Sequence, residues 1–346
     1  MPVSCGALSS ARRPNGSLIY KPVNITKFIL EDAVFQSDPP VLVDIGASGG
    51  EPEMWMELAS HSIYLGFDAD TRATEFTDSV GDGFRRKIVF NRAVVADGKG
   101  TTEIHLTSSP YCSSVLRPAS AALEPYAFKH LFKVESTVEV PAITLHEAIS
   151  TVGLKHIDFL KIDTQGTDLR IFKSLPQAFG QRVLAVEMEP GFISVYDGED
   201  KAWHVLSHME DRGFWLAQLD VRKTTRADAT WFNEQNFLMK RYPHAFLGQS
   251  AGWCNMLYLS EPRQQWSYRE WLLSILFAAK FGKTGAALSL CDRALSSGVG
   301  GRVPQLRQAL WRQVRLQGYL HAAPRLPRAL LGELKRWVLA RTANRR

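Results

Sequence analysis

The sequence predicts an α/β protein: a mostly parallel sheet with helices on both faces, plus a C-terminal all-helical basic extension. Three observations predict it. Short continuous apolar runs recur along residues 41–262, as strands buried on both faces require. Helical or turn-rich stretches lie between them, the alternation that builds a parallel sheet. Beyond Pro262 the strand-like runs stop, and apolar residues recur at helical spacing only.

Residues 1–40 read as a loose start, an amphipathic helix near Asn24–Phe35 and a linker closed by Pro39 and Pro40. Strands are expected at Val41–Ile45, Ile63–Phe67, Ile88–Val95, Glu103–Leu106, Ile157–Ile162, Val183–Met188, Phe214–Leu219 and Met256–Leu259. Lys99–Gly100, just before the fourth, suggests an inserted hairpin. These elements form one domain, residues 41–262. In the extension, residues 263–346, Tyr268, Trp271, Leu272, Ile275, Leu276 and Ala279 share one helical face, and Ala287, Leu288, Cys291 and Leu295 another. The stretch SSGVGG separates this hairpin from two basic helices.

Composition bounds the function. With 346 residues, 45% of them hydrophobic, the chain can bury a sizeable core. No run approaches the roughly 18 apolar residues of a membrane span, and LLSILFAAKF (Leu272–Phe281) is the nearest. The N-terminus shows no apolar h-region, so a cytoplasmic protein is expected. Cysteines 5, 112, 254 and 291 form no CxxC pair, which argues against zinc and against a disulfide framework. From Arg263 onward sixteen Lys or Arg face three acids, +13; the whole chain is +6, so residues 1–262 carry −7. An acidic body bears a basic tail.

The stretch VLVDIGASGG, Val41–Gly50, runs from a strand into a glycine loop. It is not a P-loop, because Glu51 and Pro52 stand where that loop has Lys and Ser or Thr. It is not the dinucleotide fingerprint, because Ser48 and Glu51 occupy two of the three glycine positions. Asp44 and Glu51 would also set two carboxylates beside a pyrophosphate. A cationic ligand reverses that objection. S-adenosylmethionine carries an ammonium and a sulfonium, Gly46, Gly49 and Gly50 let backbone approach it, and Asp44 attracts its cationic end. The next strand ends in FDAD, where Asp68 can accept the ribose hydroxyls; Asp97, after the third strand, lies near the adenine. The candidate cofactor contacts are therefore Asp44, Gly46, Ser48, Gly49, Glu51, Asp68 and Asp97. A tight turn that holds no ligand is the alternative.

The segment IDFLKIDTQGTDLRIFKSL, Ile157–Leu175, resembles the core signature of the FkbM-type methyltransferases. Lys161, Ile162, Asp163, Gln165, Gly166 and Asp168 all fit its pattern. VDIGASGG, FDAD, CSSVL and VLAVEMEP are similar to further motifs of that family, and together they cover about residues 41–240. The resemblance implies a Rossmann-like class I methyltransferase that uses S-adenosylmethionine on hydroxyl groups. In TLHEA, His146 stands where that family usually carries Asp.

An alcohol acceptor must lose its proton, so a base near the transferred methyl is needed. Asp163, at the carboxyl end of a central strand, is the first candidate, with a backbone-capping carboxylate as its alternative. Glu187 is the second, sharing a strand face with Glu189 by period two. Glu189 reads likewise as an acceptor for substrate hydroxyls or the general base, with a solvated loop-edge acid as its alternative. His146 is the third, standing in for a carboxylate. Lys161 reads as half of an ion pair with Glu187 or Asp163. His204 and His208 have helical metal spacing but no third ligand, so no metal site is assigned.

In the tail, Leu326, Leu330, Leu334, Trp337 and Val338 fall on one helical face, with Arg328, Lys335, Arg336 and Arg341 elsewhere. Such a helix suits peripheral contact with an anionic membrane at its inner face; packing against the acidic body is the alternative. No nucleic-acid module is visible. The reading is an O-methyltransferase for a sugar, glycan or other hydroxylated metabolite. A methyltransferase with an N or carboxylate acceptor, or an inactive binding module tethered by its tail, stays open.

Overall fold

The structure, a computed structural model, describes residues 24–47, 50–69, 83–98, 100–227, 238, 243–322, 332–333 and 336. Its strands are β1 (Val41–Ile45), β2 (Ile63–Phe67), β3 (Arg86–Phe90), β4 (Ala93–Val95), β5 (Thr101–Thr107), β6 (Val134–Thr144), β7 (Phe159–Ile162), β8 (Ala185–Met188), β9 (Phe214–Thr224) and β10 (Ser250–Ser260). Seven of them form one sheet in the order β3–β2–β1–β7–β8–β10–β9. Five are mutually parallel, β10 runs antiparallel to β8, and β9 runs antiparallel to β10. The chain order reverses at β1, between β2 and β7, and ligands of open α/β sheets bind outside the carboxyl ends at such a switch point.

The apolar runs are continuous because each strand feeds two cores. In β1, Val41, Val43 and Ile45 pack on one side against the helices Leu145–Thr151, Asp168–Ser174 and Ala202–Asp211. Leu42, with Tyr64 and Phe159, packs on the other against the helix Ile25–Leu30 and the helices Tyr268–Lys280, Thr284–Ser296 and Val303–Ala322. The basic extension thus supplies much of one helical layer of the sandwich. The change of composition at Pro262 is no break in packing.

The sequence expectation for Tyr268–Lys280 was a one-faced helix, yet every residue from Arg269 to Ala278 is buried. Ser267 starts it with a capping box closed by Glu270. Arg269 then enters the base of the sheet. Its guanidinium makes two bonds to Asp158, of 2.7 and 2.6 Å, and also donates to the carbonyls of Asp38 and Pro39. Asp158 in turn accepts from the Val41 amide at 2.8 Å. Farther along, Arg302 pairs with Asp32 at 3.0 Å and Lys280 with Glu57 at 2.6 Å. Part of the tail's positive charge is therefore met by the acidic body.

Two strand expectations are corrected. Ile88–Val95 is not one strand: β3 ends at Phe90, and β4 leaves the main sheet to pair in parallel with β6. The inserted hairpin is not a β4–β5 pair either. β6, which alternation in VESTVEVPAIT could have revealed, lies between them and pairs antiparallel with β5. The tail face from Leu326 to Val338 lies outside the described residues. Among those described, no helix is long and apolar enough to cross a membrane.

Candidate active site

A cavity of about 250 Å³ opens at the carboxyl ends of β1, β2 and β7. Its floor is Ile45, Gly46, Phe67 and Asp68, with Asp163–Gln165 and Glu189 on one side. The small sheet closes the other, through Ala93, Val94 and Ile104 together with Tyr111, Ser113, Ser114 and Val115 after β5. The inserted strands thus act as a roof over the switch point.

Local bonding builds the floor. The amides of Gly46 and Ala47 both donate to the carbonyl of Phe67, at 2.9 and 3.0 Å, and Asp163 N–H donates to the Ile45 carbonyl at 2.8 Å. Gly46 has φ +85°, and a Cβ there would stand 1.9 Å from the Asp163 carbonyl oxygen. Only glycine fits, and the reason is the approach of the chain end of β7.

The wall carrying Asp163 is an over-determined turn. Asp168 accepts from the Thr164 amide at 3.0 Å, the Thr164 hydroxyl at 2.7 Å and the Glu189 amide at 2.9 Å. Burial, with the charge of Asp163 adding to it, pushes the Asp168 carboxyl up to about 6. Gln165 adopts φ +58°, the one non-glycine residue with positive φ among the described residues. Its amide donates to Asp163 Oδ1 at 2.8 Å, while its Oε1 accepts from the Tyr196 hydroxyl at 3.1 Å. The Ser114 hydroxyl holds the Gln165 carbonyl at 2.8 Å. Across this turn Glu189 lines the cavity with Asp163, and burial together with the charge of Asp163 pushes the Glu189 carboxyl up to about 8.

The residues singled out from sequence divide into three groups. Gly46, Asp68 and Asp163 meet at the cavity. Asp44, Glu187, Glu51, Asp97 and His146 do not line it. Asp44 is fully buried on the Leu42 face of β1, where strand alternation places it. There it accepts from Lys161 at 2.9 Å and the Tyr64 hydroxyl at 3.2 Å, instead of facing a cationic ligand. Strand register lines up Asp44, Lys161 and Glu187 on adjacent strands. Although burial opposes its charge, Asp44, Asp163 and Glu187 hold the Lys161 ammonium above its ordinary value. The first partner of Lys161 is thus Asp44, which sequence reasoning did not consider. Glu51 pairs with Lys87 at 2.5 Å. Asp97 is exposed, and Ala93 and Val94 occupy the wall where it was expected. His146 is exposed on the helix Leu145–Thr151, edge-on to Phe179. The third group, Ser48 and Gly49, lies outside the described residues.

Sequence reasoning undervalued Glu189. Of its two readings, solvated loop-edge acid and site acid, the structure supports the second: the chain leaves β8 at Met188 and turns Glu189 into the cavity, away from the row that holds Glu187. Its place two residues after Glu187 was the available signal. No sequence signal pointed to Tyr196. His204 and His208 belong to the helix Ala202–Asp211, and no cluster suited to a metal ion occurs among the described residues.

Residues 45–216 match the family model described as the methyltransferase FkbM domain. That span runs from the end of β1 into β9 and contains every residue of the cavity wall. No curated protein matches the chain.

Proposed function

Because the chain belongs to the FkbM methyltransferase family, we propose that it transfers a methyl group from S-adenosylmethionine to a hydroxyl oxygen of a sugar, glycan or other hydroxylated metabolite. The observation that carries this reading is that two carboxyl groups, Asp163 and Glu189, share the wall of the switch-point cavity. Alcohol acceptors are the class that most needs a base, and this pair is one.

The residues fit the methyl donor. Asp68 lies where ribose hydroxyls need an acceptor, Phe67, Ala93 and Val94 offer an apolar surface for a purine, and the carboxyl pair complements positive charge. When bound, that cofactor supplies an electrophilic methyl on a cationic sulfur. The chain's own part is to hold the acceptor oxygen in line and take its proton. Positioning of this kind lowers barriers by up to roughly 7–11 kcal/mol in well-oriented systems. The proton goes to Glu189, whose carboxyl, pushed up to about 8, is in its ionised form a base matched to a weakly acidic hydroxyl. Gln165 fixes the direction of Asp163, and Tyr196 fixes Gln165.

Two measurements test this. Calorimetric titration with S-adenosylhomocysteine and with NAD should show binding of the first alone, weakened in Asp68→Ala. Release of S-adenosylhomocysteine should then be followed against panels of sugars and sugar nucleotides, amines and carboxylates. Turnover with amines or carboxylates only would replace the hydroxyl reading. Cofactor binding without turnover on any panel would favour the inactive binding module.

A further inference from the structure

The far edge of the main sheet points to a second copy of this chain. β10 pairs with β8 only through Met256–Leu259, but with β9 along Ser250–Ser260. The β9–β10 hairpin therefore runs past the end of β8 as a two-stranded ribbon on the cavity side of the sheet. The β10 edge of that ribbon is held, since Phe192 N–H donates to the Gly252 carbonyl at 2.9 Å and Cys254 N–H to the Pro190 carbonyl at 3.1 Å. The β9 edge pairs with no strand among the described residues.

An edge of this length is a template for another strand, and proteins usually guard such edges with charge. Every residue from Gln218 to Lys223 is exposed, including the apolar Leu219 (43%) and Val221 (39%). The charges here are of mixed sign, Asp220, Arg222 and Lys223, and the first two flank Val221 symmetrically. In an antiparallel pair, residues whose numbers have a constant sum stand opposite each other. Pairing centred on Val221 sets Asp220 opposite Arg222 of the partner subunit, and Arg222 opposite Asp220 of the partner subunit. It also brings the two Val221 side chains together at the two-fold axis. A centre at Arg222 would oppose like charges. The edge is thus complementary to itself in one orientation, as an isologous interface requires.

We propose that β9 is a homodimer interface in which two copies join antiparallel about Val221, making one continuous sheet. Leu219 and Val221 extend the apolar strip begun by their cross-strand partners Met256 and Cys254, and a neighbouring strand covers them. The proposal is independent of the reaction catalysed.

Sedimentation equilibrium of the full chain in about 0.1 M salt tests it. The wild type should form a dimer. Asp220→Arg or Arg222→Asp alone should each weaken dimerisation roughly tenfold or more, since two symmetry-related pairs become like-charged. The double variant should restore it to within about threefold. Both single effects should shrink in 1 M salt, where screening acts over about 3 Å. Melting curves taken at low concentration separate misfolding from lost association, and these exposed positions should leave them unchanged. A wild type that stays monomeric throughout, or a dimer indifferent to both single variants, overturns the proposal. Failure of the double variant to recover overturns the Val221 register.

Discussion

Replacing Gln165 by glycine separates what this residue does for folding from what it does for the reaction. Its φ of +58° is a left-handed conformation that costs an ordinary L-residue about 1–2 kcal/mol and costs glycine almost nothing. Its side chain, in turn, donates to Asp163 at 2.8 Å and accepts from Tyr196 at 3.1 Å. The first bond, to a carboxylate, contributes about 1.5–3 kcal/mol and the second about 0.5–1.5 kcal/mol. Tyr196 keeps the Cys112 carbonyl at 2.8 Å as an alternative, so most of the second is recovered. Gln165→Ala loses the bonds and keeps the strain, whereas Gln165→Gly loses the same bonds and releases it. The glycine variant should therefore be more stable than the alanine variant by about 1 kcal/mol in urea denaturation, despite glycine's greater freedom in the unfolded chain. Both should lose turnover alike, by roughly 10²-fold, because Asp163 is no longer aimed. The assay is S-adenosylhomocysteine release with an acceptor from the panels above, beside the denaturation curves. A glycine variant with wild-type turnover would refute the positioning role. Equal stability of the two variants would refute the strain argument.

Glu189→Gln tests the carboxyl pair: if the pair is the base, the wild-type rate should rise with pH through about 8 and the variant should lose that limb. Asp163→Asn, which removes the charge that raises Glu189, should move the limb to lower pH. At the opposite end of the sheet, Arg269→Ala leaves Asp158 buried without its partner and should cost about 3–5 kcal/mol. Arg269 holds the Asp158 carboxyl below its ordinary value despite burial, so this contribution is present above pH ~4 and is lost as the medium is acidified below it. Gly46→Ala combines positive φ with a clash against the Asp163 carbonyl and should cost roughly 2–5 kcal/mol and abolish cofactor binding, read by melting and calorimetry. Removal of residues 323–346 takes away seven Lys or Arg and one acid while sparing the buried helices. Cosedimentation with anionic vesicles should fall if those residues make the membrane contact, and undiminished binding would rule that contact out.

The strands β1 and β2, the glycine loop after β1, the acid at the end of β2 and the segment Ile157–Leu175 were legible in the sequence because their signals are local. A buried strand reads as a short apolar run, a left-handed turn favours glycine, and an acid at a strand end sits a fixed number of residues beyond it. What the tertiary structure decided lies at the long-range contacts. Asp44 and Lys161 are 117 positions apart, and only strand register made them partners and took Asp44 off the cavity wall. β4 left the main sheet because β6, some forty residues later, offered it a partner. The basic extension became a core layer because one face of the sheet needed covering, a need that composition beyond Pro262 does not express. The raised proton affinity of Glu189 arose once the sheet brought the ends of β7 and β8 together, since the desolvation and the neighbouring charge of Asp163 that cause it come from residues distant in sequence.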